Sequence, residues 1–361
     1  MSQAVLAKVI IGFHDCRGFT ITQIYLNLIM PQKKKILFPG IVILLLVFIL
    51  LPSYSFVTNH RAAEDKEYLL QIGRRMFYDA SLSADGAIAC ATCHQQKYAF
   101  SYGIDVRYPK HDDKVVRDHS VNERSILPLF NLSVNERFMW DGRVKKLTEQ
   151  VLVPIHSRNE FNTTIKSIVA KLNRDSIYKR LHLQFNSQSS FDSVDVINAF
   201  ALFESSLISD NSKYDQYLRG QATLDSAELK GYALMSDPKK GNCFSCHSLE
   251  VQNGKQKQGL KKNGMPMYQE PEIKLRTPSL RNLVYTNPYG HNGGFDWVDA
   301  VIEFYNSRIS EKSDVSPEMR HYIKGSLNLS KDEKLCMLRF LASLNDETFV
   351  SDPRFSSPFN N

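Results

Sequence analysis

Strand-like alternation of apolar and polar residues is nearly missing from this chain, so a fold built on sheets is not expected. The βαβ pattern that frames a thioredoxin-like dithiol is missing with it. Cysteine is scarce: of six residues in 361, four sit in two short clusters, which leaves Cys16 and Cys336 alone. An oxidising compartment usually pairs its cysteines. Strong charge of either sign is also lacking. The formal net charge of +7 is partly held before residue 62, in Lys8, Arg17, Lys33, Lys34 and Lys35. The remainder is only mildly basic, and nucleic acid is not suggested as a partner.

A clear membrane span is lacking too, but something close to one is present. Lys33, Lys34 and Lys35 precede the apolar run "ILFPGIVILLLVFILL", Ile36 to Leu51. Its length lies between a signal-peptide core and a full span. A positive flank stays in the cytoplasm, so the rest of the chain is expected to be exported, after signal cleavage or tethered by an anchor. Residues 1–56 are read as this N-terminal extension. A buried core helix is the plainer alternative, but the run shows no amphipathic alternation. Ser53-Tyr54-Ser55 offers a small-residue cleavage site, and Met30 offers a second start that would leave residues 1–29 outside the protein.

Helical periodicity fills much of the remainder. In "VDVINAFALFESSLIS", Val196, Phe200, Phe203 and Leu207 fall at i, i+4, i+7 and i+11, one apolar stripe of a structural helix. The polar stretch "DNSKYDQYLRG" closes that segment at Gly220. A helix over about residues 65–78 leads into the first cysteine cluster, and "DSAELKGYALM" leads into the second. "SKDEKLCMLRFLASL" reads as a closing helix capped by Ser330 with Glu333 three residues on, and Cys336 within it reads as a buried small hydrophobe. The plan of helix, cluster, long irregular stretch and closing helix thus occurs twice. Two domains of one type, joined near residue 220, are expected.

Both clusters are Cys-x-x-Cys-His: Cys90, Cys93 and His94, then Cys243, Cys246 and His247. Structural zinc needs four Cys or His ligands, and each cluster supplies three. Haem attachment accounts for every position, since two thiols bond the vinyl groups and the adjacent His ligates iron. Two covalently bound haem c groups are therefore expected. The long irregular stretches suit a large flat cofactor that forms part of the core. They also carry the opposite axial position, which separates an electron carrier from a reactive iron.

The segments "CATCHQQKYAFS", "FMWDGRVKKLTEQVLVPI", "NSKYDQYLRG", "GNCFSCHS" and "RTPSLRNLVYTNPYGHNGGF" resemble the bacterial dihaem cytochrome c peroxidase family, which includes the MauG-type enzymes. The likeness runs from about residue 65 to about 345. It implies an all-α fold of two cytochrome c-like domains, over residues 62–222 and 223–350, with long irregular haem-wrapping segments. It also implies a periplasmic location and an N-terminal haem that is the peroxide site, where Gln150 and Glu160 match the family's distal groups. A nearby carboxylate can carry a proton from one peroxide oxygen to the other, and an amide can hold the oxygens in place. Without the family, both would read as surface groups. Pro154 matches a distal-side proline, with a simple turn or kink as the alternative.

By the same resemblance Trp140 lies between the haems as an electron relay; as a bare residue it reads as core. Asp141 and Arg143 are expected to lock its turn by ion pairing. Tyr305 in "VIEFYN" stands where standard peroxidases have Met and MauG-type enzymes have Tyr, so it is expected to ligate the C-terminal haem iron and lower its potential. Met265 and Met267 are competitors. His111 and His119 lie in the loop that carries a resting distal His in standard peroxidases, although neither is in register and exposed loop residues are the plainer reading. A calcium ion is implied through the carbonyls of Thr286 and Pro288, but Ser125 stands where the family has Asn. His291 is expected to hydrogen-bond a propionate or backbone and not to ligate iron.

The implied function is reduction of hydrogen peroxide to water, with electrons from a small cytochrome c or similar donor. Lys255, Lys257, Lys261 and Lys262 form a basic loop that is either plain solvated surface or a docking face for an acidic donor. Family members are often homodimers. One alternative is oxidation of a protein or small molecule through high-valent haem, as in the MauG-type enzymes. A second is a dihaem electron-transfer cytochrome without catalysis.

Overall fold

The computed structural model describes residues 65–102, 110–111, 114–115, 124–185, 190–252, 255–256, 259–264, 274–311, 314–323 and 327–359. In chain order these form α1 (65–78), α2 (Cys90–Cys93), α3 (Leu147–Gln150), α4 (Leu152–His156), α5 (Ile165–Leu172), α6 (Ser176–Phe185), α7 (Ser193–Ser206), α8 (Lys213–Leu218), α9 (Ser226–Ser236), α10 (Val298–Glu303) and α11 (Lys331–Ala342). Strand content among them is limited to antiparallel two-residue ladders: Lys110–His111 with Lys114–Val115, Val251–Gln252 with Lys255–Gln256, and Leu260–Lys261 with Leu275–Arg276. The fold is helix-rich, and these small ladders punctuate its irregular stretches. The apolar run Ile36 to Leu51 lies outside the described residues. Among those that are described, no helix is long and apolar enough to cross a membrane.

Side-chain caps set where the main helices begin. Asp192 accepts from Val194 N and Asp195 N at α7, Asp225 from Glu228 N at α9, and Ser330 from Glu333 N at α11. Each satisfies donors that the first turn leaves without a partner. Past the α7 cap, the expected stripe of Val196, Phe200, Phe203 and Leu207 is buried.

One helix crossing is used twice. A Cβ on Gly73 of α1 would sit 1.9 Å from the Ala199 carbonyl oxygen and 3.0 Å from Phe203 Cβ on α7. A Cβ on Gly231 of α9 would sit 2.0 Å from the Cys336 carbonyl oxygen and 2.8 Å from Phe340 Cβ on α11. Only glycine lets the backbones approach this closely. The chemistry of the repeat is thus matched by its geometry, with Gly73, Ala199 and Phe203 corresponding to Gly231, Cys336 and Phe340. Cys336 is partly buried, with its carbonyl at the crossing point.

Residues His60–Asn361 form one compact unit with several apolar clusters. One joins α1, α4, α5 and α7 through Ile72, Met76, Ile155, Ile168 and Phe200. A second joins α9, α10 and α11 through Met235, Ile302, Met337 and Phe340, and it takes in Tyr214 of α8. α8 therefore packs with the C-terminal helices, although it precedes residue 222. A third cluster gathers Phe77, Phe100, Phe130 and Phe203 with Phe349 and Phe355, so the chain after α11 returns to the N-terminal half.

Candidate active site

Each Cys-x-x-Cys-His cluster is one tight turn. The His94 amide donates to the Cys90 carbonyl and the His247 amide to the Cys243 carbonyl, both at 2.8 Å. Beyond the turn, His94 Nδ1 lies 2.9 Å from the Phe100 carbonyl and His247 Nδ1 lies 2.9 Å from the Pro278 carbonyl. A carbonyl can only accept, so Nδ1 carries the proton in both rings and Nε2 is left with a free lone pair. That is the tautomer in which protein histidines bind metals. Burial pulls His94 down to about 4 and lowers His247 as well, so both rings are neutral at pH 7.

The Cys90, Cys93 and Cys243 thiols are pushed the other way. Burial raises Cys93 to about 11, with the Glu160 charge adding to it, and raises Cys243 to about 12. None of the four is in a disulfide. A redox dithiol needs a stabilised thiolate, which these surroundings do not supply. Among the described residues, no cluster of three or more His, Cys, Asp or Glu could hold a metal by itself. Free thiols and neutral imidazoles with an open Nε2 are what the two turns present.

Above His247 is a cavity of roughly 1560 Å³, counting its open mouth. Cys243 and Cys246 lie on its wall, with Met235, Leu280, Ile302 and Leu341 among its apolar lining and Tyr305 facing inward. Tyr305 belongs to a π-helical turn, Phe304–Arg308, that continues α10. Such turns insert a residue and re-aim side chains, often at functional sites. Tyr322 shares the cavity, but its hydroxyl donates to the Gly241 and Asn242 carbonyls at 3.0 and 3.1 Å, which leaves Tyr305 as the available phenol. Burial, then the Cys243 and Cys246 thiols, raise the Tyr305 pKa far above the normal phenol range. A phenol so placed stays protonated unless a strong cation takes the proton's place on its oxygen.

The cavity also holds a buried cation. Arg276 is 6 % exposed, burial lowers it to about 10, and it forms no ion pair with a described carboxylate. An apolar hollow lined by a neutral His, a phenol, two thiols and a buried guanidinium fits haem, whose propionates suit that charge.

Trp140 lies on the same wall. Its Nε1 donates to the Ser125 carbonyl and its own carbonyl accepts from the Arg276 amide, both at 2.6 Å. Two residues earlier, Phe138 is buried in the cluster that holds Phe100, so the turn reaches from the N-terminal core to the C-terminal cavity. Asp141 is paired with Arg143 at 2.6 Å and Arg124 at 3.4 Å. Burial raises the Asp141 pKa, but the Arg143 hydrogen bonds and charge outweigh it and hold the carboxyl below its usual range.

On the N-terminal side, Gln150 ends α3 and Glu160 follows α4. The Pro154 carbonyl accepts from Phe161 N at 3.2 Å, so Pro154 shapes the turn that presents Glu160. Burial raises the Glu160 pKa against the opposing hydrogen bond from Ser157, and the Glu160 charge raises the Cys90 and Cys93 thiols. Gln150 Oε1 is buried without a hydrogen-bond partner. Gln150 thus brings an unsatisfied polar atom, and Glu160 a carboxyl whose charge acts on both thiols of the His94 cluster.

Glu204 of α7 was read only as part of a structural helix. It is 4 % exposed, its Oε2 is buried without a partner, and burial raises its pKa to about 8. The repeat shows which way it faces: Phe203 corresponds to Phe340, so Glu204 corresponds to Leu341, which lines the C-terminal cavity. Its charge also acts on Cys90. The signal was legible, because Glu204 lies at i+8 from Val196, inside the apolar stripe.

A family model described as di-haem cytochrome c peroxidase matches residues 67–223. Over those residues the chain is similar to the di-haem cytochrome c peroxidase family. The methylamine utilization protein MauG of Methylophilus methylotrophus is 29% identical over 287 residues, covering 76% of this chain and 81% of that protein. The cytochrome c551 peroxidase of Nitrosomonas europaea is 26% identical over 303 residues, covering 79% and 86%. Among solved structures, a MauG-like protein associated with microbial copper homeostasis matches with a TM-score of 0.68 at 25% identity, over 81% of this chain and 94% of that one.

Other family positions are less complete here. The Ser125 hydroxyl donates to the Pro288 carbonyl at 3.4 Å, and Thr286 lines the same cavity. Two carbonyls and one hydroxyl, with no acidic cluster among the described residues, fit calcium poorly. His291 is buried on the cavity wall with Nδ1 lacking a partner, and its carbonyl accepts from Ser125 N at 2.7 Å. His111 sits in the first ladder with its side chain outside the described residues, and His119, Met265, Met267 and Lys257 lie outside them altogether. Lys261 is ion-paired with Glu318 and Lys262 with Asp314, which reduces the net charge of the basic loop.

Proposed function

We propose that this protein is a dihaem c-type peroxidase that reduces hydrogen peroxide to water with electrons from a small cytochrome c or similar donor. The observation that carries the reading is the asymmetry of the two halves. The His94 side carries the Glu160 carboxyl, whose charge acts on Cys90 and Cys93, and the buried, unpartnered Gln150 Oε1, whereas the lining of the His247 cavity is mainly apolar, holds no carboxylate among the described residues and includes Tyr305. The first arrangement suits proton chemistry on a small polar substrate. The second suits a closed, electron-passing centre.

Haem supplies the iron and the reducing equivalents; the chain supplies position and protons. Conversion of hydrogen peroxide to two waters takes two electrons and two protons. Gln150 orients the peroxide through its amide, and the Glu160 carboxylate takes the proton from one oxygen and returns it to the departing one. Burial weakens Glu160 as an acid, which brings it nearer the working pH. The Trp140 turn, held by Ser125 and Arg276, lies on the route between the two sites. The N-terminal basic and apolar segments support placement in the periplasm, soluble after cleavage or tethered to the inner membrane.

Glu160→Gln tests the assignment. Peroxide turnover falls by about 10²- to 10⁴-fold while both haems stay attached. Unchanged turnover refutes the proton role. EPR of the resting ferric protein should show a high-spin component; two low-spin centres that bind no cyanide would instead mark an electron-transfer cytochrome. Tyr305 favours a second reading, oxidation of a protein or small-molecule substrate. Under that reading, mixing with peroxide in the absence of a donor gives an oxidised optical state that outlasts mixing by minutes.

A further inference from the structure

The turn that holds His94 is locally unfavourable. Ala99 and Phe100 adopt φ of 52° and 56°, in succession, in a region that side chains disfavour. Phe100 supplies the carbonyl 2.9 Å from His94 Nδ1, so its conformation decides where that acceptor points. Strained turns persist only where the surroundings over-determine them. Here the surroundings come from beyond α11. Gln96, in the same turn, donates through Nε2 to the Asp352 carbonyl at 2.8 Å and to the Phe349 carbonyl at 3.3 Å. The Phe100 ring packs against Phe349 and Phe355, with centroids 5.6 and 6.4 Å away.

The returning segment is itself fastened at both ends. Near its start, Asp346 accepts from Phe349 N at 3.1 Å and from Asn211 N at 3.0 Å. Toward its end, Tyr78 donates to the Phe355 carbonyl at 2.7 Å and Arg74 Nε to the Ser356 carbonyl at 2.7 Å, both from α1. His247 is held differently, since its acceptor is the Pro278 carbonyl, more than fifty residues before α11 ends.

We propose that the C-terminal segment, residues 347–359, is a positioning element for His94: it braces the 95–101 turn so that the Phe100 carbonyl holds the imidazole Nδ1 proton. Such an outer partner raises the basicity of an axial imidazole and fixes its ring orientation. A segment from the far end of the chain thereby tunes the N-terminal haem and leaves the C-terminal one alone. The proposal rests on the reading of His94 as the axial ligand of the N-terminal haem.

The test uses the protein with both haems attached, as the full-length parent and in three variants: Phe355→Ala and Gln96→Ala in the full chain, and a chain ending at Asp346. Resonance Raman of the ferrous protein reads the Fe–His stretch, and spectroelectrochemistry reads each haem potential. The stretch falls in frequency and the N-terminal potential rises in each variant, while the C-terminal potential stays put. The two point variants carry the test if the shortened chain does not retain its haems. A stretch and N-terminal potential equal to the parent's in Phe355→Ala and Gln96→Ala overturn the proposal, and so does an equal shift at both haems. A parent protein whose ferrous N-terminal haem is high-spin and five-coordinate yet shows no Fe–His band would overturn the His94 reading itself.

Discussion

Glu204 makes a quantitative demand on how stability depends on pH. Its carboxyl is raised from 4.5 to about 8 by burial alone, so the folded protein holds a proton there that the unfolded chain releases. Below pH 4.5 both states are protonated and the residue is neutral in effect. As pH rises through the interval from 4.5 to 8, the folded state binds more protons than the unfolded state. Stability then declines by about 1.4 kcal/mol per unit, up to about 5 kcal/mol across the interval. Glu204→Gln keeps the shape and removes the ionisation. Urea unfolding of the haem-loaded protein at pH 5, 6, 7 and 8, variant beside parent, isolates this contribution because all other groups cancel. The variant should gain on the parent steadily, by about 3 kcal/mol at pH 7. Parallel stability profiles across that range would show that Glu204 ionises freely or finds a partner, and the reasoning from its burial would fail.

Three further outcomes are expected. Gly231→Ala, which would gain up to about 1 kcal/mol in an exposed helix, loses about 1–3 kcal/mol here because its Cβ meets the Cys336 carbonyl at 2.0 Å, and thermal unfolding followed by far-UV circular dichroism measures it. Tyr305→Phe leaves both haems attached but raises the potential of the C-terminal haem and changes its low-spin EPR signal; identical spectra would remove Tyr305 from the iron. Arg281→Ala leaves Asp215, which Arg281 contacts at 2.7 Å through both guanidinium nitrogens, as a buried unpaired charge at a cost of about 3–5 kcal/mol in urea unfolding near neutral pH. Although burial alone would raise Asp215, Arg281 holds its pKa below 3.8, so the pair's contribution is present above that value and lost as pH falls through the folded value.

What the sequence revealed and what it hid divide along physical lines. Capping at Asp192, Asp225 and Ser330 depends on neighbours within one helical turn, and the α7 stripe depends on a period of 3.6, so both could be read locally. The two Cys-x-x-Cys-His turns were legible because their thiols and His are adjacent in sequence. Glu204 was in plain view within its stripe, but a carboxylate there could be judged only once its lack of a partner was known. The Tyr305 π-helical turn and the bracing of Phe100 by Phe349 and Phe355 had no sequence signal at all. The former is a backbone irregularity, and the latter joins residues about 250 positions apart, beyond the reach of any periodic pattern.

The doubled helix crossing bears on how such a molecule diversifies. Gly73 against Ala199 and Gly231 against Cys336 set the same backbone frame in each half, so neither half needs a new scaffold to acquire a new role. One step along that frame, an acid stands at 204 and a leucine at 341. Two unlike inner walls can therefore be carried by one repeated helix crossing, with the differences confined to side chains. Glu204 and Leu341, at matching places on that crossing, are where such a difference shows most directly.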